Sequence, residues 1–88
     1  MNKLNIVVAY EIHHARHFAE VEKQWARKDY KIVLNQTDYL RGLVNVTVWV
    51  LEAPRFHPTP YQLHQRQIME YVLKPQLHRI KVERVTLP

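Results

Sequence analysis

The side chains in this sequence best suited to bind a ligand are a tryptophan and a scattered set of cations. Trp49 lies in a run where valines alternate with other residues, and Arg79 and Lys81 alternate with apolar residues near the end. An unpaired base can stack on such a ring, at about 1–3 kcal/mol per base, while cations hold its phosphates. The predicted binding residues are Trp49, Lys31, Arg41, Arg79, Lys81 and Tyr39. The alternative is that Trp49 covers a dimer interface or packs beneath a loop.

Six histidines raise the question of a metal site. His13 and His17 are one helical turn apart, a spacing that lets two imidazoles share a metal ion. A third ligand is not evident in the neighbouring sequence, where the residue one turn further on is the acidic Glu20. The sequence therefore predicts no metal and no cofactor.

The residue types argue against the common catalytic sites. The chain has no serine and no cysteine, which excludes their nucleophiles, disulfides and thiolate metal sites. Its single glycine, Gly42, excludes a glycine-rich phosphate loop. The prediction is a protein that is not an enzyme, with a small dimeric enzyme or ligand-binding domain as the third alternative.

Two irregular segments carry side chains that suit partner contacts. The first is the connector Asn35–Gly42, which contains Tyr39 and Arg41, and the second is the proline-rich segment Ala53–Pro60. The sequence Arg55-Phe56-His57 in the second segment combines a cation with aromatic rings, as contact hot spots often do. The alternative is that Tyr39 and Phe56 fold back and close the ends of the core.

Hydrophobic periodicity divides the chain into six regular segments. Strands are predicted where β-branched residues run together or alternate, and helices where apolar residues recur every three to four positions. Thr59-Pro60 is typical of a helix start, and Pro75 ends that helix. The predicted segments are strand Leu4–Tyr10, helix His13–Lys28, strand Tyr30–Asn35, strand Val44–Leu51, a helix from Pro60 to before Pro75, and a final strand containing Ile80, Val82 and Val85.

The order strand, helix, strand, strand, helix, strand predicts an α+β fold. We expect a single domain, residues 1–88, with the ferredoxin-like βαββαβ topology: a four-stranded antiparallel sheet with two helices on one face. Strands two and three would form a hairpin. The valines of the third strand would face the helices, which assigns Trp49, Arg79 and Lys81 to an open face. A sheet face of this kind is often hidden against a second copy, so we expect a homodimer.

The overall charge favours an acidic partner. The 88 residues carry a formal net charge of +5, with a pI of about 9.8. The sequence therefore predicts a small basic cytoplasmic module that binds nucleic acid or a nucleic-acid-handling protein, with no membrane contact. The alternative is a protein–protein inhibitor or regulator of the kind that phages and mobile elements encode, such as anti-CRISPR proteins.

Overall fold

Four parallel strands form one sheet at the centre of the computed structural model, which describes residues 4–34 and 37–88. The strands are β1 (Asn5–Val8), β2 (Tyr30–Val33), β3 (Thr47–Glu52) and β4 (Lys81–Thr86). They lie in the order β2-β1-β3-β4, and every neighbouring pair is parallel. The central strand β1 pairs with both β2 and β3, so that Val8 lies opposite Val33 and Val50.

Within the described residues, two α-helices and four shorter helical segments connect these strands. Helix α1 (Ile12–Arg16) runs directly into a π-helix (His17–Glu22), and helix α2 (Pro60–Leu73) joins β3 to β4. The remaining segments are 3₁₀-helices at Arg27–Asp29, Thr37–Leu40 and Lys74–Gln76.

The predicted antiparallel ferredoxin-like sheet is wrong, although the chain does combine helices with strands. Strands β2 and β3 do not form a hairpin, because each pairs with β1 and all run in one direction. Parallel neighbours need a connection that crosses the sheet, and the segment 34–46 is long enough to carry the chain past β1. The six-segment order therefore fits a parallel sheet as well as the antiparallel one.

Helices cover both faces of the sheet, which also corrects the prediction of two helices on one face. On one face of the sheet, the α2 face, helix α2 and Leu40 pack on the even-numbered residues of β1 and β3. The buried members of this cluster are Ile6, Val8, Val33, Leu40, Val48, Val50, Met69, Val72, Leu73 and Ile80. On the other face, the α1 face, helix α1 and the π-helix pack on the odd-numbered residues of β1 and β3. The buried members there are Val7, Ala9, Ala15, Phe18 and Leu51.

The start of α2 confirms the prediction from Thr59-Pro60. The Thr59 hydroxyl accepts the Gln62 backbone N–H at 3.1 Å, and the Gln62 side chain accepts the Thr59 N–H at 2.8 Å. This reciprocal capping box satisfies two donors that the first turn of a helix leaves unpaired. Pro60 follows at the first helical position, where its missing N–H costs nothing.

Two other predicted boundaries are shifted by residues with left-handed backbone conformation. The first helical segment ends at Glu22 instead of Lys28, since Gln24 has a φ of 55° and turns Trp25 back against Phe18. Strand β3 begins at Thr47 instead of Val44, because Asn45 has a φ of 57°. Residues 35 and 36, at the start of the predicted connector, lie outside the described residues.

A buried glutamine ties the crossover segment to the end of α2. The Gln76 side-chain amide donates to the carbonyls of Leu40 and Val72, and its oxygen accepts the Leu43 N–H at 2.8 Å. Gln76 is 4% exposed. An amide suits this position because one side chain supplies both a donor and an acceptor to backbone groups that have no strand partner.

Replacing valines on the two sheet faces tests the two-sided core. We expect Val7→Ala and Val48→Ala each to lower the free energy of unfolding by about 2 kcal/mol, because both side chains are fully buried. Val44→Ala is the matched control, since Val44 is 55% exposed and should change stability little. Urea denaturation measures all three, and a neutral Val7→Ala would contradict burial of the α1 face.

Removing the Gln76 amide should destabilise the fold. Gln76→Leu leaves the Leu43 N–H and two carbonyls without their partner, which we expect to cost about 1–3 kcal/mol. The control is Gln67→Leu, on the exposed side of α2. Equal stability of the two variants in thermal unfolding would show that Gln76 is not needed to hold the crossover.

Candidate functional site at the carboxyl edge of the sheet

The candidate site lies where the two central strands end. The carboxyl ends of β1 and β3 are side by side, with Val8 opposite Val50. The chain leaves β1 to reach β2 on one side, whereas β3 leads to β4 on the other. A crevice forms at such a reversal of strand order, because the connections that follow the two strands diverge to opposite faces, and ligands of open parallel sheets bind there.

A cleft of about 540 Å³ occupies this position on the α1 side. Three elements supply its walls: the helical segment after β1, the turn after β3 and the two residues after β4. The lining residues are His13, His14, His17, Ala53, Arg55, Phe56, Leu87 and Pro88. Three imidazoles and one guanidinium therefore surround an apolar floor, and none of these lining residues is acidic.

Aromatic contacts order the cleft wall around Phe56. Its ring stacks on Tyr10, with centroids 5.7 Å apart and planes at 29°, and meets His14 edge to face at 5.5 Å. The His13 and His14 rings are 4.3 Å apart. The Phe56 N–H donates to the Ala53 carbonyl at 3.0 Å, which closes the turn after β3. Phe56 stays half-buried and lines the cleft, so part of its ring is accessible to a ligand.

Arg66 of α2 supports this wall from behind. Its guanidinium carbon lies 4.2 Å from the Tyr10 ring centroid, and both terminal nitrogens donate to the Leu51 carbonyl at 3.3 Å. The Arg66 side chain is 11% exposed and also pairs with Glu52 at 3.6 Å. Arg66 therefore positions the wall, whereas the exposed Arg55 is available to a ligand.

Three residues outside the cleft lining, Glu70, Arg84 and Tyr30, have shifted pKa values. The Arg84 guanidinium hydrogen-bonds Glu70 (2.7 Å from Nη1 to Oε1), which lowers the pKa of Glu70 against the opposing effect of burial. The same hydrogen bond raises the pKa of Arg84. Burial, followed by the hydrogen bond to Glu20, raises the pKa of Tyr30. These shifts reflect packing and pairing at the sheet edges.

The structure places Trp49 under the π-helix and not on an open face. Its indole N–H donates to the Asn5 side-chain oxygen at 3.0 Å, and its ring lies 5.7 Å from Phe18 and 5.5 Å from Trp25. Lys23 covers the ring at 4.6 Å. Trp49 is half-buried within this aromatic cluster, so its surroundings are those of a core residue.

The other predicted binding residues are distributed over separate surfaces. Lys31 and Tyr39 meet on the α2 face, with the Lys31 ammonium 3.6 Å from the Tyr39 ring centroid. Arg41 is exposed in the segment before β3. Arg79 and Lys81 share a shallow groove of about 280 Å³ at the opposite, amino edge of the sheet. The predicted set therefore does not form one site.

The cleft instead joins two groups of residues that the sequence presented separately. The helical spacing of His13 and His17 and the cluster at Arg55 and Phe56 were both recognisable, but more than thirty residues separate them. Only the parallel pairing of β1 with β3 brings these groups together. No pattern in the sequence indicated that Leu87 and Pro88 would complete the walls.

Neither a metal site nor a membrane span is found in the part of the chain that the structure describes. Among residues 4–34 and 37–88, no three side chains of histidine, aspartate or glutamate come together to hold a metal ion. No helix within these ranges is long and apolar enough to cross a membrane.

Comparisons with protein-family models, with curated proteins and with solved structures found no match to this chain. The geometry of the site is therefore the basis for assigning a function.

Glu70→Gln should reduce stability in a pH-dependent way. Because the pKa of Glu70 is lowered, its ion pair with Arg84 stabilises the fold fully at pH values above 4.5, the ordinary pKa of glutamate. This contribution is lost as the pH falls through the lowered pKa. Because 36% of the side chain is exposed, we expect the effect at neutral pH to be about 1 kcal/mol or less.

Chemical denaturation of wild type and Glu70→Gln across the acidic range measures this difference. It should shrink towards zero at pH values well below 4.5. The exposed Glu22 provides the control, and Glu22→Gln should show little effect at neutral pH. A Glu70→Gln penalty that grows on acidification would contradict the assignment.

Proposed function

We propose that this protein is a small basic module that binds single-stranded nucleic acid through the cleft at the carboxyl edge of the sheet. The observation that carries the proposal is the cleft lining, which combines three histidines and Arg55 with the half-buried Phe56 and includes no aspartate or glutamate side chain. These groups suit a ligand that presents phosphates and a planar ring together.

The charge distribution supports an anionic ligand. Arg55, His13 and His17 are exposed at the cleft, and the chain as a whole has a net charge of +5. A guanidinium pairs with two phosphate oxygens at once, and imidazole N–H groups donate to such oxygens.

The size and shape of the cleft favour an unpaired strand over a duplex. A volume of about 540 Å³ lies within the range of small-ligand pockets, roughly 300–1,000 Å³, so it suits a nucleotide unit and not a double helix. Stacking on Phe56 requires a base that has left its own stack, which single strands provide. The cleft position at the reversal of strand order is the usual ligand position of such sheets.

Anisotropy titration of fluorescently labelled single-stranded DNA and RNA at low salt tests this proposal. We expect Arg55→Ala to weaken binding by about ten-fold and to reduce the slope of log affinity against log salt by about one, because one phosphate contact is lost. Phe56→Leu keeps an apolar side chain in the wall but removes the stacking ring. It should weaken binding by about five-fold or more at every salt concentration.

The matched control is Arg79→Ala, which removes the same charge from the amino edge of the sheet and should leave affinity nearly unchanged. If affinity falls with Arg79→Ala and not with Arg55→Ala, the binding surface is the amino edge. If no affinity is measurable at low salt, the proposal fails. In that case a partner that co-purifies after nuclease treatment would favour the protein–protein regulator.

A further inference from the structure

The outer edge of β4 has the features of a docking edge. Strand β4 pairs with β3 along all six residues, and no strand of the described chain pairs with its other side. Two backbone N–H groups show which residues face β3: Lys81 donates to Val46 and Leu87 donates to Glu52. Because backbone groups alternate in direction along a strand, the N–H groups of Val82 and Arg84 point away from β3.

Apolar side chains lie beside this edge on the α2 face. A groove of about 400 Å³ runs between α2 and β4, with Tyr71, Leu77 and Val82 among its lining residues. Tyr71 is 80% exposed and Leu77 is 54% exposed, although both are large apolar side chains. An unpaired strand edge beside exposed apolar groups is a template for pairing with another strand.

The charges along β4 indicate which strand can pair with its outer edge. Lys81 and Glu83 lie on the α1 face, opposite Thr47 and Trp49 of β3. In an antiparallel pair of strands related by a two-fold axis normal to the sheet, residues that lie opposite each other project their side chains to the same side of the sheet. A register centred on Val82 therefore places Lys81 opposite Glu83 of the partner subunit, twice. Registers centred on Glu83 or Arg84 place like charges opposite each other.

We propose that two copies of this chain associate through antiparallel pairing of their β4 strands, centred on Val82. The two Val82 residues exchange backbone hydrogen bonds, and Tyr71 and Leu77 of both copies pack along the α2 face. Within one copy Lys81 and Glu83 already pair at 3.0 Å, and their exposed side chains can turn to the opposing strand. The proposal does not depend on the function of the cleft.

Charge exchange tests the register. By sedimentation equilibrium at high micromolar concentration, wild type should form a dimer. Lys81→Glu and Glu83→Lys should each weaken it by about ten-fold, since each puts like charges opposite each other twice. The double variant Lys81→Glu with Glu83→Lys should restore wild-type affinity. Lys28→Glu, an exposed lysine distant from β4 in the fold, is the control for charge alone.

A cysteine cross-link provides a second, independent measurement in this cysteine-free chain. Opposed residues of a hydrogen-bonded antiparallel pair have Cα atoms about 5.5 Å apart, which suits a disulfide. Val82→Cys should therefore form a covalent dimer on mild oxidation, whereas Thr86→Cys should not.

Three results would overturn the proposal. A wild-type protein that stays monomeric at all concentrations would show that the edge does not bind a second copy. A dimer whose affinity is unchanged by Lys81→Glu and by Glu83→Lys would place the interface elsewhere. Equal cross-linking of Thr86→Cys and Val82→Cys would exclude the Val82-centred register.

Discussion

Parallel pairing of β1 with both of its neighbours is the constraint on which the rest of this structure depends. Parallel strands cannot be joined by a tight turn, so each connection has to cross a face of the sheet. The connections cover both faces, which is why even- and odd-numbered residues of β1 and β3 are both buried. The same constraint brings the carboxyl ends of all four strands to one edge, and so creates the cleft.

The buried Gln76 and the largely buried Arg66 hold these connections in place. Gln76 pairs with backbone groups of the crossover and of α2, and Arg66 pairs with the end of β3 and covers the Tyr10 ring. Each supplies hydrogen-bond partners to backbone groups at the ends of these connections. The cleft wall therefore rests on a scaffold that is formed before any ligand arrives, which reduces the ordering that binding would require.

Local sequence signals predicted individual elements well and their arrangement badly. Thr59 and Pro60 located the start of α2, because capping is decided within one helical turn. The antiparallel sheet was the wrong choice although a contrary signal was present. Ile6, Val7 and Val8 of β1 are apolar at consecutive positions, which is typical of parallel strands buried on both faces. Trp49 and Leu51, which alternate with the valines of β3, are also apolar and indicate that this strand too is covered on both faces.

The sequence by itself determined the approximate positions of the strands, the start of α2, the net positive charge and the residue types capable of binding an anion. These properties depend on neighbours in the chain or on composition. Only the tertiary structure decided that Trp49 packs under the π-helix and that His13 and Arg55 share one cleft. Which strands pair, and in which direction, depends on contacts between distant segments, and one sequence of alternating helices and strands is compatible with several such pairings.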